Sequence, residues 1–170
     1  MGLLSTFYPN EIQESTYHIN FQEMYSKGYR GVIFDVDNTL VPHGAMADHT
    51  CIQLFSELKK LGFKTILLSN NKEERVKKFN EKIGTDYIFK AGKPAKGNYQ
   101  KAMQIMGTKK SETLFVGDQL FTDVWGAKRV GIHSILVKPL HPREEIQIVL
   151  KRYLEKIVLY YYKKEQKKLK

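Results

Sequence analysis

Cysteine is nearly absent: Cys51 alone among 170 residues excludes an internal disulfide framework and suits a reducing compartment, here read as cytoplasmic. Its place on a helix-like segment with no partner motif gives it a structural reading. Proline is scarce at five, glycine stands at twelve, and no repeat or low-complexity stretch occurs, which excludes collagen-like, solenoid and wholly disordered chains. No apolar run approaches the length of a bilayer span, and the first residues lack the basic-then-apolar order of a secretory signal, so the chain is expected to be neither secreted nor integral. Acid is in short supply relative to base: 18 Asp and Glu against 28 Lys and Arg leave a net charge of +10, which favours anionic partners. The surplus is concentrated at the end, where residues 151–170 hold eight basic side chains and two acids, Glu155 and Glu165.

What is present is a strong alternation. Short apolar runs at 31–34, 65–68, 113–116 and 134–137, with a weaker one at 87–89, have the look of strands buried on both faces. Between them lie helix-like stretches at 48–61, 72–83, 96–106 and 122–130, closed by Gly62, Gly84, Gly107 and Gly131. Such alternation predicts a doubly wound α/β fold, a mostly parallel sheet with helices on both faces, in one domain covering 1–170. Within it, 1–28 is expected as an N-terminal helical extension, 29–140 as the core carrying the chemistry, and 141–170 as a basic amphipathic helix and tail.

Ligands of doubly wound sheets bind beyond the carboxyl ends of the strands. There the chain places Asp35-Val36-Asp37-Asn38-Thr39, Ser69-Asn70-Asn71, Gly92-Lys93-Pro94, and Gly117-Asp118 with Asp123 close behind. Four acids, a hydroxyl and a lysine are thus expected on one rim. Asp35 and Asp37 lie two apart and would share a pocket only if the chain turned sharply after Val36. Packed together, such acids repel unless a cation joins them, and with Asp118 they would form the hard all-oxygen site that Mg²⁺ prefers. Lys93 and Ser69 would add positive charge and a hydrogen-bond donor for an oxyanion. Acids, Mg²⁺ and a lysine suggest phosphoryl transfer. The one Gly-Lys pair, Gly92-Lys93, is followed by Pro94 rather than Ser or Thr, so no nucleotide-type phosphate loop is present. The nucleophile is then expected from the protein, as an aspartate forming an acyl-phosphate.

These segments, in this order, resemble the four motifs of the haloacid dehalogenase superfamily over residues 31–137. The spacing also resembles the YqeG-type subfamily IIIA phosphatases, a group similar to mitochondrial phosphatidylglycerophosphatase. Leu68-Ser69-Asn70-Asn71, Arg75-Val76, Ala91-Gly92-Lys93-Pro94 and 117–124 strengthen that narrower likeness. The resemblance implies Asp35 as nucleophile and metal ligand. It implies Asp37 as the acid that protonates the leaving oxygen and then activates water, its carbonyl on Mg²⁺. Thr39, Ser69 and Lys93, with Asn38 and Asn70, would hold the phosphoryl oxygens, Asp118 would complete the metal shell, and Asp123 would orient Lys93 or the metal waters. An acid at position 37 implies a phosphatase rather than a dehalogenase or ATPase. The intervals from 37 to 69 and from 69 to 93 leave no room for a cap domain, which implies an open site suited to large or surface-bound phosphates. The favoured substrate is therefore a lipid phosphate, phosphatidylglycerophosphate. The alternatives are a nucleic-acid terminus or soluble phosphometabolite with the same chemistry, or a non-catalytic nucleic-acid or membrane-binding module.

His18, His43, His49, His133 and His141 show no metal-ligand spacing and are expected on the surface or in loops, His43 near the pocket mouth. Val124 and Trp125 are expected to pack. A final helix is expected to start at Pro142, with Ile146, Leu150, Leu154, Ile157 and Tyr161 forming a stripe that packs on the sheet. Beyond it, the tyrosines at 160–162 and the lysines through Lys170 leave two readings open, contact with an anionic membrane, which would put a cytoplasmic protein at its inner face, or a solvated tail. No RNA-recognition motif accompanies them, and nucleic acid is not favoured.

Overall fold

A computed structural model describes residues 3–141 and 146–168. Among the described residues six parallel strands form one sheet: β1 (Glu11–Gln13), β2 (Gly31–Phe34), β3 (Lys64–Leu68), β4 (Asp86–Ile88), β5 (Thr113–Gly117) and β6 (His133–Val137). Their spatial order is β1-β6-β5-β2-β3-β4. Gly31 pairs with Lys64 on one side and Thr113 on the other, so β2 is central. The helices are α1 (Phe21–Ser26), α2 (His49–Leu61), α3 (Glu73–Asn80), α4 (Lys96–Met106), α5 (Trp125–Val130) and α6 (Ile146–Lys168).

The strand period of two sorts the core into layers. Val32 and Phe34 face α1, α2 and α3, meeting Met24, Phe55, Leu58 and Phe79. Ile33 and Phe115 face the opposite side, with Tyr99 and Ala102 of α4 and Ala127 of α5. Cys51 is buried among the first group, in keeping with its structural reading. Helix α2 starts where Asp48 accepts a hydrogen bond from the Cys51 amide at 2.8 Å. It stops at Gly62, whose φ of 96° lies in the left-handed region that glycine enters freely.

Several expectations need correction. Segment 1–28 is more than a helical extension, because β1 is an edge strand paired in parallel with β6, Glu11 opposite Ile135. The helix expected over 72–83 is shorter, Glu73–Asn80, and that expected over 122–130 begins instead as one wide π-turn, Leu120–Val124, before α5. His133 sits within β6, its ring 2.9 Å from Glu11 Oε1. The predicted stripe of α6 faces solvent: Ile146, Leu150, Leu154 and Ile157 are each more than half exposed. The docked face of α6 is a mixed one, with Glu155 and Val158 buried. Helix α6 also runs unbroken through the tyrosines and lysines to Lys168. The expected helix start at Pro142 and the final residues 169–170 lie outside the described residues.

Candidate active site

The sheet's order reverses beside β2, and the crevice at the carboxyl ends of β2 and β5 gathers the chemistry. Asp35 follows β2 directly and Asp118 follows β5. Asp123 returns from the wide turn, its Oδ2 accepting from the backbone N–H groups of Asp118 at 3.1 Å and Gln119 at 3.0 Å. That return requires glycine at 117, since a Cβ there would lie 2.5 Å from Asp123 Oδ2. The three carboxylates are buried, and one oxygen from each lies within 4.8 Å of the others.

Lys93 and Thr39 bind this cluster together. Lys93 Nζ donates to Asp35 Oδ1 at 2.6 Å and to Asp123 Oδ1 at 2.7 Å. The Thr39 hydroxyl is shared between Asp35 Oδ2 at 3.1 Å and Asp118 Oδ1 at 2.9 Å. Arg152 of α6 reaches in from the far end of the chain, donating to the carbonyl and the carboxylate of Asp118. Its Nη1 also lies 3.0 Å from Glu155 Oε2, and Glu155 accepts from the Leu120 amide at 2.7 Å.

Burial dominates the electrostatics. It raises the Asp35 carboxyl well above the usual carboxylate range, Lys93 opposing and Asp123 and Asp118 adding repulsion. Burial, then Asp123, pushes Asp118 up to about 6 against the pull of Arg152. Burial alone would lower Lys93, but Asp123 and Asp35 hold it above the ordinary lysine range.

Asp37 is not among the three clustered acids. The turn after Val36 forms, with Asn38 at a φ of 61°, and it directs the Asp37 carboxylate toward Gly44 N at 2.7 Å, Arg75 Nη2 at 3.0 Å and Asn71 Nδ2. The Asn38 side chain is engaged elsewhere, its Oδ1 accepting from His141 N at 3.2 Å, while its backbone N–H donates to Val41 O at 2.7 Å. Asn70 brackets the Lys93 backbone, accepting from its amide at 2.8 Å and donating to its carbonyl at 3.3 Å. Ser69 is buried, and its hydroxyl accepts from Asn71 N at 3.2 Å. The N-terminal segment supports the turn, Thr16 donating to Thr39 O and Tyr17 to Leu40 O. Val124 is buried and Trp125 packs its ring 5.3 Å from that of Phe7.

Sequence reasoning gave no role to Arg152, Asn71 or Arg75. The usable signal for Arg152 was its i, i+3 spacing from Glu155. A groove of about 420 Å³ opens beside Asp118 and Arg152, with Leu136, Val137, Pro139 and Leu159 along its walls.

A family model described as "Hydrolase: haloacid dehalogenase-like hydrolase" matches residues 44–131. Over 154 residues, 90% of each chain, the sequence is 37% identical to the "Probable phosphatase YqeG" of Bacillus subtilis (strain 168). It is 28% identical to phosphatidylglycerophosphate phosphatase 1, chloroplastic/mitochondrial, of Arabidopsis thaliana, over 82% of this chain and 46% of that one, so it spans about half of that protein. A cobalt-bound deoxy-D-mannose-octulosonate 8-phosphate phosphatase from Haemophilus influenzae shares the fold, with a TM-score of 0.51 at 12% identity over 66% of this chain and 80% of that one.

Proposed function

Because the chain belongs to the haloacid dehalogenase-like hydrolases and is a phosphoric monoester hydrolase, we propose that it acts through an aspartyl-phosphate on Asp35. We further propose that its substrate is a lipid phosphate, phosphatidylglycerophosphate. The observation that carries the chemistry is the buried set of Asp35, Asp118 and Asp123 tied to Lys93 at the switch point of the sheet.

The donor set fits Mg²⁺. Three buried carboxylates supply only hard oxygen atoms, and for Asp35 and Asp118 burial, with repulsion from the neighbouring acids added, raises the affinity for protons, a cost that a divalent cation relieves. Asp35 and Asp118, with the Asp37 carbonyl, would hold the ion, and Asp123 would orient Lys93 or complete the shell. When bound, it would neutralise charge on the phosphoryl oxygens.

A carboxylate oxygen of Asp35 attacks phosphorus, and the bond from phosphorus to the ester oxygen breaks. Asp37 gives that oxygen a proton, which requires its carboxyl to leave Arg75 and the Gly44 amide. Asp37 then takes a proton from water, the water oxygen attacks phosphorus, and the bond to Asp35 breaks to release phosphate. Lys93, Thr39 and Ser69, with Asn38 and Asn70 shaping the surrounding loops, are the proposed phosphate holders.

Three things support the lipid assignment: the likeness to the Arabidopsis phosphatase, the short connections that leave the site uncapped, and the apolar groove beside Asp118. The lysines from Lys163 onward are proposed to meet anionic headgroups at the cytoplasmic face of a membrane. The test is a substrate panel of phosphatidylglycerophosphate in micelles, nucleic-acid terminal phosphates and soluble monoesters, run with wild type and Asp35→Asn. Asp35→Asn should lose at least about a hundredfold in turnover, roughly 2.7 kcal/mol of barrier. Smaller loss would overturn the covalent role, and a higher kcat/KM on soluble or nucleic-acid phosphates would overturn the lipid assignment.

A further inference from the structure

Helix α6 has two faces of unlike character. Toward the core it turns Arg152, Glu155, Val158, Leu159 and Tyr162. On the outside, positions three and four apart bring Ile146, Leu150, Tyr153, Leu154, Ile157 and Tyr160 into one stripe, each more than half exposed. Solvated helices rarely carry so continuous an apolar face, and such patches mark contact surfaces.

The charges indicate what the surface contacts. Both acids of α6 are engaged on the inner side: Glu155 is buried, and Glu165 accepts from the Tyr8 hydroxyl at 3.1 Å. Its six lysines, Lys151, Lys156, Lys163, Lys164, Lys167 and Lys168, are all exposed. A second copy of this chain would bring lysines against lysines. An anionic lipid surface would pair with them, and tyrosines beside an aliphatic stripe suit the boundary between headgroup and acyl chain. No helix among the described residues is long and apolar enough to cross a membrane.

We infer that the outer face of α6 inserts into the interface of an anionic bilayer, lying in its plane. This goes beyond an electrostatic hold by the terminal lysines, because it requires Leu150, Leu154 and Ile157 to enter the lipid. It also brings the carboxylate cluster close, since Arg152 on the inner face of the same helix holds Asp118. The surface would bind lipid whether or not a lipid phosphate is the substrate, so its fate is separable from that reading.

The experiment is flotation of the full chain with vesicles of mixed phosphatidylglycerol and phosphatidylcholine, and of phosphatidylcholine alone. Wild type should float with the mixed vesicles and hardly with the neutral ones. Leu154→Ser/Ile157→Ser alters only exposed side chains, so it should keep the melting temperature and hydrolysis of a small soluble phosphate while losing about tenfold or more in partitioning. An Ile157→Trp variant should show emission quenched by brominated lipid beyond any quenching of Trp125. Equal flotation of wild type and the double variant would overturn insertion, as would flotation without quenching at position 157, which would leave contact to the lysines alone. Absence of vesicle binding, with a dimer by sedimentation that the double variant dissolves, would assign the face to a second copy instead.

Discussion

Lys93 is the residue on which the cluster depends, because it is the cation that touches two of three buried carboxylates. Lys93→Met should cost about 3 kcal/mol or more of stability and abolish turnover, since removing one partner strands the other charges in a dry site. Melting in chelator and in Mg²⁺ checks this: the added ion should restore part of the melting temperature and none of the activity. The acids themselves predict an unusual pH dependence. A carboxyl whose folded pKa is raised binds protons more tightly in the native than in the unfolded chain, so stability falls as pH rises. With Asp118 at about 6 and Asp35 raised as well, against an unfolded value of about 3.9, the metal-free protein should melt higher at about pH 5 than at about pH 7. Asp118→Asn should shrink the difference, and saturating Mg²⁺, which needs the ionised acids, should reverse it. A metal-free melting temperature that falls from pH 7 to pH 5 would contradict the raised values. Asp35, Lys93, Asp118 and Asp123 were legible in sequence because each comes shortly after an apolar run. The orientation of Asp37 was not, since a two-residue offset says where the backbone goes and not that Arg75, 38 residues on, captures the carboxylate.

At the scale of elements, β2, β3, β5 and β6 were legible as unbroken apolar runs because both of their faces are covered, and β4 was found one residue out of register. Strand β1, Glu11–Gln13, was hidden because an edge strand of three residues with polar ends has neither a run nor a period. Helix α6 was visible as a helix and misjudged in orientation. Periodicity identifies an apolar face without saying that it is the docked one. Here a mixed face docks, because Arg152, Glu155 and the Leu120 amide satisfy one another while Val158 packs beside them. This yields a prediction specific to the element: Arg152→Met should leave Asp118 and Glu155 buried without their cation. The melting temperature should drop by the equivalent of about 3 kcal/mol, and the affinity for Mg²⁺, measured by calorimetry, should change with it. An unchanged melting temperature would show that α6 is not anchored through this residue.

On the scale of the whole molecule, α6, the N-terminal segment and the wide turn share a third packing cluster: Tyr8, Leu120, Val124, Leu136 and Val158. The Tyr162 ring stands edge-on to Tyr8 at 5.2 Å. Truncation after Leu159 should therefore cost about 1–2 kcal/mol of stability through lost aromatic packing and the Glu165 contact, besides any lipid binding it removes. Thermal melting of the truncated chain without lipid measures the first effect alone, and no loss there would mean that Tyr162 contributes little to the fold. The pairing of β1 with β6 has a consequence of another kind, in the order of assembly. Asn10 and Ser134, joined by hydrogen bonds, stand 124 residues apart, so β1, made before the other five described strands, has no partner until β6, the last of them, is made. Contacts of such long range slow folding. Until that closure, the growing sheet presents β5 and then β6 as an open margin, to which another nascent chain could add a strand. A short, polar β1 shields that margin once the chain is complete, and it adds few apolar side chains to expose while it waits.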